Sequence, residues 1–71
     1  MRSKALRKGT IVVPTHYVAA YPMGASVDTR LVVVSATKVS GEWKYHCTRD
    51  DGREGTYWIC ADSLRVFGGD L

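Results

Sequence analysis

Seventy-one residues leave room for one domain, which at that size buries roughly 60% of the surface its unfolded chain exposes. With 45% apolar and 24% charged residues, the composition excludes a disordered chain, and no apolar run approaches the roughly 18 residues of a membrane-spanning helix. The net charge of +3 invites an anionic partner, but it is unevenly placed: residues 1–8 carry four basic side chains and no acid, and residues 9–71 are nearly neutral at −1.

The chain opens on a basic stretch, Met1 to Lys8, which reads as a solvated tail. Ile11, Val12 and Val13 are too few to form the apolar segment of a secretory signal, because Pro14, Thr15 and His16 interrupt them. The expected location is therefore the cytoplasm, where Cys47 and Cys60 stay reduced. Thr10–Val13 is the first predicted strand, β-branched throughout and ended by Pro14. Residues 15–29 read as a long irregular loop, with a turn at Tyr21-Pro22-Met23-Gly24.

Arg30–Thr37 carries the strongest strand signal, and its three consecutive valines predict burial on both faces. A short turn around Gly41 follows. Trp43–Arg49 then alternates, with Trp43, Tyr45 and Cys47 on one face and Lys44, His46 and Thr48 on the other. Asp50–Gly55 contains the Asp-Gly pair of a hairpin, and Thr56–Cys60 is the returning strand. Ala61–Leu64 predicts one helical turn, and Leu64–Phe67 a last strand. Five short strands with one long loop and two tight turns suit a small, strongly twisted antiparallel barrel. The expected organisation is a tail over 1–8, an all-β barrel over 9–67 and a C-terminal tail over 68–71.

Glu42-Trp43, the Asp51-Gly52 hairpin and Gly55 resemble the acidic-residue-plus-Trp start, distal hairpin and Gly of SH3-like small barrels. Ile59 to Val66 is similar to the strand, single 3₁₀ turn and final strand that close that fold. The resemblance implies a five-stranded antiparallel SH3-like barrel with the irregular loop in the place of the long first loop. It also implies a binding module. The Ala-Leu-Tyr-Asp-Tyr-like segment of proline-binding members has no counterpart, and of their aromatic set Trp43 alone carries over.

Seven aromatic side chains serve this small chain, and most belong in the core. With an even-numbered hairpin loop, Tyr45 opposes Cys60 and Cys47 opposes Trp58, which puts Trp58 beside Tyr45 on one face and sends Tyr57 and Ile59 to the other. Trp43 and Tyr21, at loop edges, are the aromatics expected to be exposed. The expected protein-binding residues are Trp43, Tyr17, Tyr21 and Arg53, since aromatic and Arg side chains dominate interface hot spots. Compact modules of this kind suit regulators or inhibitors of larger machines, including those encoded by phages or mobile elements. The alternative is nucleic-acid binding through Arg2, Lys4, Arg7, Lys8 and Lys44.

No enzyme, cofactor or metal is expected. His46 and Cys47 face apart on one strand, so with His16 and Cys60 they do not make a zinc set of the usual paired spacing. No Gly-rich phosphate loop or Ser/Cys–His–acid pattern stands out. A Cys47–Cys60 bridge requires a register that makes the two neighbours.

Overall fold

The computed structural model describes residues 5–67. Five strands alternate with loops in the order β1 (Ile11–Pro14), β2 (Leu31–Val39), β3 (Glu42–Arg49), β4 (Thr56–Cys60) and β5 (Leu64–Val66). A 3₁₀ turn, Ala61–Ser63, separates the last two. The strands form one antiparallel sheet in the order β4-β3-β2-β1-β5. The all-β, five-stranded fold is as expected; the sheet itself is open, with β4 and β5 as its edges.

Local chemistry accounts for most of these elements. Pro14 ends β1 as its last residue rather than lying beyond it, and it pairs with Leu64. Ser40 and Gly41 both adopt positive φ, 51° and 82°, and join β2 to β3 as a two-residue turn closed by the Val39–Glu42 pair. That handedness matches the twist of the flanking strands, and Gly41 supplies it without a Cβ penalty.

The valine run is not a strand evenly covered on both faces. Val33 pairs with Cys47 and Ser35 with His46, so Val34 is a bulge. The extra residue resets the alternation, turning Leu31 and Val33 inward before it and Ala36 inward after it. Val32 and Val34 are only half-buried.

The hairpin register also departs from expectation. The last β3–β4 pair is Thr48–Thr56, which leaves an odd number of residues in the loop, and Tyr45 opposes Ile59 while Cys47 opposes Tyr57. A one-residue slip exchanges the faces of a strand. Tyr57 and Ile59 are therefore buried, and Trp58 points out. Burying this pair hides two large apolar side chains from β4, where the other register hides only Trp58 between Thr56 and Cys60.

The core is a single cluster of Val12, Ala25, Leu31, Val33, Tyr45, Cys47, Tyr57 and Ile59. Ala25 reaches it from the long loop, where Val18 and Ala25 exchange both backbone hydrogen bonds, at 2.8 and 2.9 Å. The Tyr57 hydroxyl donates to Met23 O at 2.8 Å, and Arg49 Nη1 donates to Gly24 O at 3.1 Å. These bonds hold the tip of the irregular loop against the β3–β4 hairpin. Ala5 and Leu6, read from sequence as tail, pack against the core, and the Leu6 N–H donates to the Tyr45 hydroxyl at 3.0 Å.

Candidate binding cleft

Trp43 is the second residue of β3, immediately past the Ser40-Gly41 turn. Antiparallel pairing sets Lys38 opposite it, with Nζ 5.5 Å from the centre of the indole ring. At the other end of the hairpin, β4 runs back alongside β3 and ends at Cys60, opposite Lys44. The 3₁₀ turn then begins at once, which carries Ala61 and Asp62 to the indole. β5 leaves this turn to pair with β1.

The result is a cleft of about 430 Å³ lined by Leu6, Trp43, Tyr45, Ala61, Asp62, Leu64 and Val66. A second hollow of about 220 Å³ shares Trp43, Ala61 and Asp62 and extends to Gly41 and Glu42. The larger cleft is lined mostly by apolar side chains with the indole among them; Asp62 is the charged residue common to both hollows, and Glu42 lines the smaller one. An apolar trough with a few polar groups on its rim is how proteins hold an extended segment through one or two anchoring side chains.

Trp43 is half-buried and packed against the core, not exposed as its loop-edge position suggested. Tyr21 is 93% exposed and Tyr17 64%. Tyr17 lies close over Gly24, where an added Cβ would meet its ring and, at 2.7 Å, the Val18 carbonyl. Arg53 sits at the exposed hairpin tip, its backbone N–H donating to Asp51 Oδ1 at 3.0 Å. None of these three lines the Trp43 cleft, so the residues expected to bind protein are not gathered around it.

Of the basic residues, Arg7 and Lys8 are exposed in a turn closed by the Thr10 N–H on Arg7 O. Lys44 is half-buried on the outer face of β3, cross-strand from Thr37 and Cys60. Arg2 and Lys4 lie outside the described residues.

The expectation that most aromatics belong in the core is not met: among the seven only Tyr45 and Tyr57 are buried, and Trp58 and Phe67 are exposed aromatics that sequence reasoning missed. Trp58 is 57% exposed and stacks on His46 across the strand pair, with ring centroids 4.7 Å apart and planes 11° from parallel. An odd loop count would have revealed it.

Cys47 points inward and burial pushes its thiol up to about 11, whereas Cys60 is half-exposed on the outer face; both are free. His16 shares a hydrogen bond with Thr15 Oγ1 at 3.0 Å. Among the described residues no three His, Cys, Asp or Glu side chains gather as a metal site would require, and no helix is long and apolar enough to cross a membrane.

A separate polar hollow of about 430 Å³ lies between the Ser26–Arg30 turn and the hairpin, lined by Asp28, Arg30, Arg49, Asp50 and Asp51 among others. Its strongest cation is already engaged, because Arg49 holds Asp51 through Nε and Nη2, the latter at 2.9 Å. That pairing draws the Asp51 carboxyl down to about 2 and raises the Arg49 guanidinium further.

No protein-family model matches this chain, and comparison with curated proteins and with solved structures finds no match.

Proposed function

We propose that the chain is a small, non-catalytic SH3-like module of the cytoplasm that recognises another protein and so regulates or inhibits a larger assembly. The observation that carries this reading is the cleft between the start of β3 and the 3₁₀ turn, where Trp43 lines an apolar trough that holds Asp62 and adjoins a smaller hollow lined by Glu42. A strand order that returns β5 to β1 after a single 3₁₀ turn agrees with the SH3-like resemblance. Fold alone assigns no partner, and the cleft's chemistry points to an extended segment with an apolar anchor.

The test is quantitative recovery of partners from lysate by four immobilised proteins. Wild type and Tyr21→Ala should retain the same partner, while Trp43→Ala and the cleft variant Asp62→Lys should lose it. Asp62 is exposed on the 3₁₀ turn, so its variant tests the cleft even where Trp43→Ala perturbs the fold. Equal recovery by wild type and Asp62→Lys overturns the reading.

Nucleic-acid binding is the second reading, favoured by the exposure of Arg7 and Lys8 in a chain whose positive charge is concentrated at its start. Contacts to phosphates make affinity fall steeply with salt. Absence of DNA and RNA binding at low salt removes it.

A further inference from the structure

The sheet has two edges, and they are not equally protected. β5 is three residues long and presents the exposed Arg65. Short length and charge are the usual means of keeping an edge from pairing with another chain. β4 has neither. Its five residues, Thr56-Tyr57-Trp58-Ile59-Cys60, include no charge and no proline, and its register with β3 runs unbroken from Thr48–Thr56 to Lys44–Cys60 without a bulge.

Alternate residues of such a strand turn their N–H and C=O groups away from the neighbour they pair with. Among the described residues, no backbone group outside β3 bonds to the backbone of β4. At the centre of this edge stands Trp58, more than half exposed and supported on its inner side by the stacked His46.

We propose that β4 pairs with β4 of a second copy, antiparallel about a two-fold axis at Trp58. The strand is suited to its own image. Antiparallel pairing keeps both sheets' faces continuous when a residue meets itself at the axis, so Trp58 lies against Trp58, Thr56 against Cys60 and Tyr57 against Ile59. The outer face then carries a row His46–Trp58–Trp58–His46, and each inward Tyr57 meets an inward Ile59. Cross-strand aromatic pairs are among the better stabilising contacts of a sheet. A two-fold contact also closes on itself, which leaves β5, the guarded strand, at both ends of the combined sheet. An unrelated strand would satisfy the backbone equally but has no reason to match the central indole. The Trp43 cleft takes no part, so the dimer stands or falls independently of the protein-binding reading.

The experiment is sedimentation equilibrium on the full chain, with amide exchange and a directed cross-link. Wild type should show a monomer–dimer equilibrium, and β4 amides should exchange more slowly as concentration rises. Trp58→Glu sets two carboxylates together at the axis and should raise the dimer dissociation constant about tenfold or more. Its side chain is exposed in the monomer, so an unchanged amide NMR spectrum of the diluted protein confirms the fold. Thr56→Cys brings the new thiol opposite Cys60 of the second copy, and oxidised glutathione should yield a covalent dimer. Within one strand these positions are about 13 Å apart, too far for an internal bridge. Wild type under the same oxidant should give none, since its Cys60 side chains lie at opposite ends of the paired strands. A strictly monomeric wild type, a dimer indifferent to Trp58→Glu, or failure of Thr56→Cys to cross-link each overturns the proposal.

Discussion

Arg49 does more connecting than any other single side chain described. From the end of β3 its guanidinium reaches Asp51 in the hairpin loop, the Gly24 carbonyl in the long loop and the Tyr57 hydroxyl in β4. Its side chain is 10% exposed while that of Asp51 is 46% exposed, so the pair is anchored on one side and open to solvent on the other. Salt bridges of this exposure contribute modestly and weaken with salt. Their pH signature is nonetheless definite. The Asp51 carboxyl titrates at about 2 in the fold, held down first by its hydrogen bond to Arg49 and then by the Arg53 N–H, against an ordinary 3.8. A depressed carboxylate contributes stability that is complete above its unfolded value and is lost as pH falls through its folded value. Denaturant unfolding of wild type and Asp51→Asn should therefore show a stability gap at neutral pH that shrinks from about pH 4 to about pH 2. A gap constant across that window contradicts the pairing.

At the scale of the element, the β3–β4 hairpin decides what is core and what is surface. Tyr57 is 2% exposed, and its hydroxyl has a carbonyl partner in Met23. Trp58, its neighbour, keeps one ring face for His46 and the rest for solvent. Truncating a buried aromatic ring costs about 3–5 kcal/mol, a large part of the stability of a domain this small. Losing an exposed stack costs about 1 kcal/mol. Chemical denaturation of dilute protein should accordingly find Tyr57→Ala severely destabilised and Trp58→Ala only slightly; the reverse order would restore the even-loop register. Strand existence, by contrast, was plain from residue type. Thr56–Cys60 was expected with the bounds it has, and the alternation of Trp43, Tyr45 and Cys47 on one face holds in the sheet. The register was not legible, because TYWIC is apolar at nearly every position and either face of it could have been buried.

Taken as a whole molecule, the described chain is joined through Ala5 and Leu6 as well as through its sheet. Leu6 packs on the core and lines the Trp43 cleft, and its N–H is bonded to Tyr45. The basic residues that follow, Arg7 and Lys8, are thereby held at the entry to β1. A half-buried leucine contributes about 1–2 kcal/mol by area. Thermal unfolding should show Leu6→Ala melting lower, by roughly 4–8 °C for each kcal/mol lost in a domain of this length. An unchanged melting temperature would mean that the segment adds nothing to the fold. Sequence composition had made residues 1–8 a tail because their charge is high, yet two small apolar residues in their midst were enough to find the core.

The amino-acid sequence by itself determined the all-β class, the five strands, the Gly41 turn and the single 3₁₀ turn, since β-branching, alternation and turn chemistry act over a few neighbouring residues. It also placed four of the ten basic residues within the first eight positions, and it singled out Trp43. Tertiary structure alone decided three things: the register that sends Trp58 out and Tyr57 in, the bulge at Val34, and the meeting of Trp43 with Leu6 and the 3₁₀ turn. Each depends on which of two nearly equal apolar faces the rest of the core can fill, a choice made among residues far apart in the chain.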